Sequence, residues 1–371
     1  MLFQNIYDKS RVFITGHTGF KGSWLTAWLS RLGAEICGFS DQRYTEPCHY
    51  ALLNPNIRRD ECGDIRDSDW LVDVVGNFAP DIVFHLAAQP LVRRSYHDPL
   101  ETFSTNVLGT ANVLQACCQT PSVKAVVVVT TDKVYENREW HWGYRENDPL
   151  GGHDPYAASK ACTEIVAASF RCSFLEEKNV LLATCRAGNV IGGGDWGGDR
   201  LIPDLVRAAI KGKITPIRMP QAVRPWQHVL EPLAGYLLVG QKLLEADKTF
   251  ADAWNFGPDM ESSVSVEEIT RLAFKHWKQI RVESLVKSAG KMSCHETAYL
   301  TLDSSKARQL LHWKPVWNIE ETVAQTIRWY ECYYRTGKIL THKQLDLFIE
   351  NAAKLGIVWN EPQTEELKKA G

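Results

Sequence analysis

Residues 11–22 read RVFITGHTGFKG. The run up to Thr15 is short and mostly apolar, as suits a strand covered on both faces. It breaks at Gly16, and glycines recur at 19 and 22 where a helix-length segment opens. Each glycine has a task in a strand–turn–helix unit that receives a pyrophosphate. Gly16 permits the tight turn, Gly19 lets the backbone approach the anion, and Gly22 lets helix pack on strand. Thr18, Phe20 and Lys21 complete the turn and are read with the glycines as cofactor contacts. A glycine triplet alone is weak, because structural turns use the same residue; its place between a strand and a helix gives it meaning.

The rhythm continues outward from this unit. EICGFS (35–40), DIVFHLAA (81–88), AVVVVTT (125–131) and LLATCRAGNVIG (181–192) are further buried-strand runs, with amphipathic helices between them. In GSWLTAWLSRLG, for instance, Trp24, Leu25, Trp28, Leu29 and Leu32 form one stripe and Gly33 is a stop signal. Such alternation predicts an α/β fold, a Rossmann-like doubly wound parallel sheet. Beyond residue 187 glycines and prolines loosen the pattern (GGGDWGGD, ITPIRMP), which predicts a smaller mixed α/β lobe over the carboxyl ends of the strands. The expected division is a cofactor domain at 1–186 to which later segments return, a substrate lobe mainly at 187–341, and a solvent-facing helical tail at 342–371. Ser265 and Glu268 have capping-box spacing.

Composition narrows the partners. The 371 residues are 44% hydrophobic, enough for two packed lobes, and the formal net charge is -2. Without a basic excess there is no electrostatic case for nucleic acid or an anionic membrane, so a small molecule is expected. The ten cysteines are scattered without a CxxC, which predicts neither a metal site nor a disulfide framework and fits reduced thiols in the cytoplasm. The N-terminus lacks a signal-peptide design, and no apolar run approaches the ~18 residues that cross a bilayer.

The strand EICGFS is followed by Asp41, about 20 residues past the glycine turn, where a carboxylate accepts from an adenosine ribose hydroxyl and repels a phosphate there. NAD is therefore favoured over NADP, although Arg43 nearby works against that choice. Asp64 and Ile65, in GDIRD, are candidates for the adenine, and Leu86, Ala87 and Ala88 end a strand where small residues let the cofactor lie close. His85, inside that strand, reads as a satisfied core histidine.

Residues 154–160 read DPYAASK. Asp154 suits an N-cap and Pro155 a first helical position, so Tyr156 and Lys160 stand one turn apart on one face. A lysine there favours phenolate, lowering the phenol from its reference pKa of ~10 so that it takes the proton of a sugar hydroxyl. Together, TGHTGFKG and YxxxK make the chain resemble the extended short-chain dehydrogenase/reductase family, and the resemblance continues through LDSSKARQLLHWKP (302–315).

That resemblance gives meaning to VVVVTTDKVY (126–135). It implies that Thr130 lies along the cofactor and that Thr131 hydrogen-bonds the reacting sugar oxygen. Asp132 and Lys133 are similar to the acid–base pair of nucleotide-sugar 4,6-dehydratases. Once C4 is a ketone, the C5 proton is acidic; a base removes it, an acid protonates the departing C6 hydroxyl, and the stored hydride returns to C6. Lys133 is either that base, which requires its pKa to fall from the reference ~10.4, or a charged stabiliser of the enolate. YENREWHWGYRENDPLGGHDPYAASK (135–160), RAGNVIGGGDWGGDRLIPD (186–204) and RPWQHVLEPL (224–233) resemble the branch that acts on CDP-D-glucose. By that likeness Asn189 and Arg224 hold the diphosphate, Arg200 and Arg218 lie near it, and Tyr299 in HETAYL touches the nucleotide, while the role of Glu296 stays open. Dehydratases of UDP- or dTDP-sugars, a C4 epimerase and a non-catalytic NAD-binding sensor are the alternatives. Relatives also imply a homodimer, in which stripes Phe103, Val107, Ala111, Leu114, Cys118 and Ala157, Ala161, Ile165, Ala168 form a four-helix contact.

Overall fold

The computed structural model describes residues 1–42, 45–259, 263–284, 299–357 and 359. Its centre is a seven-stranded sheet in which every pairing is parallel. Six of the strands are β1 (Arg11–Thr15), β2 (Glu35–Ser40), β3 (Arg59–Cys62), β4 (Ile82–His85), β5 (Ala125–Val129) and β6 (Leu181–Ala187). The order runs from Ala253–Phe256 at one edge through β6, β5, β4, β1 and β2 to β3 at the other. Direction of travel reverses between β1 and β4, so a crevice opens above their carboxyl ends.

The apolar runs reflect burial on both faces. Within β5, Val127 and Val129 belong to the core on one side of the sheet, while Val126 and Val128 belong to the core on the other. Strands end sooner than their apolar runs. β4 stops at His85 and β5 at Val129, so Leu86–Ala88 and Thr130–Lys133 project beyond the sheet toward the crevice.

Two strands lie outside the sequence reading. β3 reads RDEC and is largely exposed at an edge, so no apolar run marks it, and the opposite edge strand comes from sequence expected in the smaller lobe. Short two-stranded sheets, such as Val190–Ile191 with Gln227–His228, occupy the later chain, and the helix Leu230–Leu244 packs beneath β5. The Ser265 half of the expected capping box forms, with Ser265 Oγ accepting from Glu268 N at 3.2 Å, while the Glu268 carboxylate accepts from Arg271. The tail differs from expectation. Thr341–Lys354 is helical but turns Leu345, Phe348 and Ala352 into the core, with the Phe348 ring edge-on to Trp28 at 5.8 Å. Among the described residues no helix is long and apolar enough to cross a membrane.

Candidate active site

The glycine turn sits at the crevice. Gly16 has φ +74°, and a Cβ there would stand 2.7 Å from Ala87 N, so the end of β4 closes onto the turn. A Cβ on Gly22 would stand 2.0 Å from Gly16 O, which requires glycine for the helix to begin where it does. The helix Phe20–Arg31 is N-capped by Gly19, and no side chain caps it, so its first-turn N–H groups suit an outside anion. Thr18 N donates to Ser40 Oγ at 3.3 Å. His17, buried within the turn, pairs with Ser40 Oγ (2.9 Å) and Asp60 Oδ1 (2.8 Å), tying the turn to β2 and β3.

Asp41 is exposed just past β2, with its carbonyl accepting from Cys62 Sγ at 2.7 Å; Arg43 lies outside the described residues. The Asp64 carboxylate is gripped by Arg66, whose hydrogen bonds hold it below the usual carboxylate range. Ile65 sends its side chain into the core. Leu86 and Ala87 donate their N–H groups to Thr15 Oγ1, both at 3.2 Å, and half-buried Ala88 follows. His85 is satisfied, pairing with Thr15 and Thr110.

The extension of β5 carries the chemistry. Thr131 is extended and Asp132–Val134 form a tight turn. Thr131 Oγ1 donates to Asp132 Oδ1 at 3.0 Å, whereas Asp132 Oδ2 is buried without a hydrogen-bond partner among the described residues. Burial pushes this carboxyl up against the pull of Lys133, the Thr131 hydrogen bond, Arg224 and Lys21. Lys133 beside it is half-buried. In the helix Pro155–Phe170, capped by Asp154 through Ala157 N at 2.8 Å, Tyr156 hydrogen-bonds Thr131 and Lys160 Nζ donates to Val129 O at 2.9 Å. The expectation of a lowered phenol is corrected here: burial pushes Tyr156 up to about 12, and Lys160, itself lowered to about 8 by burial, is engaged by the strand carbonyl.

Several predicted residues converge on this point. Lys21 sends its ammonium toward the catalytic end, 3.3 Å from Tyr236 Oη, and burial lowers it to about 8 while Asp132 pulls it back. Arg200, paired with Asp195 at 2.9 Å, acts on Tyr156, and half-buried Arg224 acts on Asp132. A Cβ on Gly188 would meet Pro225 at 2.6 Å and Asp132 Oδ2 at 2.9 Å, so the Gly188–Asn189 and Arg224–Pro225 segments wall the acid. Arg218 is exposed after the strand Thr215–Ile217, and Tyr299 bridges to Val223 with its hydroxyl 3.4 Å from His141 O. Glu296 lies outside the described residues. Sequence reasoning passed over a buried ion pair, Glu164 with Arg186. Its signal was a charge in the apolar helix ACTEIVAA and another in the strand LLATCRA.

A glycine turn at the switch point of a doubly wound sheet, with Thr131, Tyr156 and Lys160 meeting beside it, defines a protein of the extended short-chain dehydrogenase/reductase type. More particularly, the chain belongs to the family described as GDP-mannose 4,6 dehydratase, which it matches over residues 13–326. It is 47% identical over 346 residues to the CDP-glucose 4,6-dehydratase of Salmonella typhimurium, covering 92% of this chain and 96% of that protein. It is 28% identical over 335 residues to a dTDP-glucose 4,6-dehydratase of Streptomyces griseus, covering 86% and 94%. The fold is similar to that of DesIV, a dTDP-glucose 4,6-dehydratase of Streptomyces venezuelae solved with NAD bound (TM-score 0.73, 25% identity, 86% and 97% coverage).

Proposed function

We propose that this protein is an NAD-dependent CDP-D-glucose 4,6-dehydratase, forming CDP-4-keto-6-deoxy-D-glucose. The observation that carries the dehydratase reading is Asp132, a buried carboxyl pushed toward its protonated form between Lys133 and Tyr156. A C4 epimerase has no use for such a proton donor. The CDP-glucose assignment rests on the 47% identity to the Salmonella enzyme. Gly16, Gly19, Gly22 and the uncapped helix start are suited to hold the NAD pyrophosphate, and Asp41 the adenosine ribose. When bound, NAD supplies a hydride acceptor for C4 and a donor for C6.

The chain's own groups do the rest. Tyr156 takes the C4 hydroxyl proton while Thr131 holds the oxygen and Lys160 offsets the phenolate charge. Lys133 addresses C5, and Asp132 gives its proton to the C6 hydroxyl, which leaves as water. Asn189 and Arg224, with Arg200 and Arg218, hold the diphosphate, and Tyr299 meets the nucleotide. The test is a panel of CDP-, dTDP-, UDP- and GDP-sugars followed by mass and NMR. Deuterium placed at C4 of CDP-D-glucose is expected at C6 of the product, with solvent hydrogen at C5. Label washed out to solvent, or a requirement for stoichiometric NADH, would defeat the reading.

We also propose a homodimer acting in the cytoplasm. The helices Pro99–Phe103 and Gly109–Gln119 flank a π-helical turn, Ser104–Leu108, which shifts the register of the expected stripe. Leu114, Ala157 and Ala161 are core residues and Phe103, Val107, Ala111, Cys118 and Ala168 are half-buried, while Leu100 (80% exposed), Leu108 (61%) and Ile165 (58%) stand outside on neighbouring helices. The double variant Leu108→Glu/Ile165→Glu is expected to halve the mass read by light scattering at micromolar concentration. A parent that is already monomeric removes the dimer.

A further inference from the structure

Glu164 lies one helical turn beyond Lys160, and Arg186 lies in β6; they are only 4% and 3% exposed. The guanidinium forks onto the carboxylate, Nε to Oε1 and Nη2 to Oε2, both at 2.9 Å. Thr130 Oγ1 donates to Oε1 at 2.5 Å and Thr184 Oγ1 to Oε2 at 2.6 Å. Burial alone would raise this carboxyl, but Arg186 and the two threonines outweigh it and hold it below the usual range. A buried pair of this kind is weak evidence for stability, because its desolvation offsets much of the attraction. Its place in the site points elsewhere.

Thr130 stands between Val129, whose carbonyl accepts from Lys160, and Thr131, which meets Tyr156. Arg186 reaches the other way, donating through Nη1 to Tyr135 Oη (2.8 Å) and Glu146 O (2.9 Å), and Tyr135 Oη donates to Asn255 Oδ1 at 2.7 Å. One carboxylate thus fastens the YxxxK helix, the end of β5 and the middle of β6. We propose that Glu164 is a positioning residue of the reaction: through Thr130 it sets Thr131 against Tyr156, and as the anion one turn from Lys160 it holds that side chain as an ammonium. The inference rests on the dehydratase reading.

The charges around Lys160 are consistent with that role. Lys21 from the glycine turn is a cation that opposes the ammonium, and His85 from β4 is driven neutral by burial, to about 3. Tyr156 shares the helix, and Arg186 lies beyond Glu164. Burial lowers Lys160 to about 8, and Glu164 works against that fall. Taking away its charge lets Lys160 lose its proton at a lower pH, so activity that needs the ammonium is lost earlier as pH rises.

The test is Glu164→Gln, which keeps the shape and removes the charge. With CDP-D-glucose, kcat at neutral pH is expected to fall about tenfold, with the alkaline limb of its pH profile about one pH unit lower, a tenfold shift in the proton equilibrium. KM should stay within about twofold, and Glu164→Asp should recover part of the loss. A reading that needs no substrate is the proton lost by Lys160, taken as the difference in potentiometric titration between the parent and Lys160→Met; Glu164→Gln is expected to move it about one pH unit downward. If the single variant does not fold, Glu164→Gln/Arg186→Met leaves no buried charge unpaired, and the same shifts are expected of it. A folded variant with the parent's kcat, pH profile and Lys160 titration overturns the inference, as does a change confined to thermal stability. A parent inactive on every nucleotide sugar overturns the proposed function, and the Lys160 titration then still decides for or against Glu164.

Discussion

Asp132→Asn is expected to stop turnover after the first oxidation, with kcat about a thousandfold lower, within the range for loss of a positioned acid. Reduced nicotinamide should accumulate on mixing with CDP-D-glucose instead of appearing transiently. The amide matches the carboxyl in shape, so the hydrogen bond from Thr131 Oγ1 has an acceptor in the variant too. What goes is the proton for the C6 hydroxyl. Burial is the dominant influence on Asp132 and favours its protonated form, and Oδ2 has no hydrogen-bond partner among the described residues. A carboxyl so raised serves as an acid below its pKa and fails as pH climbs through it, so the parent's dehydration step should weaken toward high pH while the asparagine variant stays flat and slow. Rapid-mixing absorbance with quenched-product analysis checks this. Loss of turnover without reduced nicotinamide would place Asp132 in the first oxidation and sink the assignment.

How far the sequence could lead is visible residue by residue. Gly16 and Gly22 were legible because local geometry alone requires glycine there, one for positive φ and the other for an approach to Gly16 O. The meeting of Thr131 with Tyr156 was legible from a resemblance, since they come from separate segments that spacing cannot join. β3 was not legible: its side chains face water, and its strand character comes from pairing with β2. Of the stripe expected through Leu114, Leu114 itself enters the core while Phe103, Val107, Ala111 and Cys118 stay half-buried, because a π-helical turn at Ser104–Leu108 interrupts the regular spacing on which the stripe was drawn. Glu164 and Arg186 were visible as charges in apolar segments, but their partnership depends on the packing of helix against sheet. Lys21 shows the same limit at shorter range. Its position in the turn suggested a cofactor contact, while its long side chain reaches the neighbourhood of Asp132 and Lys160.

Lys133→Met is expected to leave the first oxidation intact and abolish exchange of the C5 hydrogen with deuterated solvent, lowering kcat about a thousandfold. Methionine keeps much of the length and apolar stem of lysine without its nitrogen. Lys133 follows Asp132 directly, half-buried, and its backbone N donates to Thr131 Oγ1 at 3.4 Å, so it shares the tight turn that presents the acid. Two roles suit that place and demand opposite charge states. A base must give up its proton before it can take one from C5, whereas a stabiliser of the enolate must keep it. Lys133→Arg separates them, because a guanidinium stays charged across the working range. If Lys133 is the base, the arginine variant should match methionine in losing C5 exchange. If the lysine acts by charge, arginine should restore much of the exchange that methionine loses. A methionine variant that exchanges C5 at the parent rate and slows only afterwards would remove Lys133 from this step in either role.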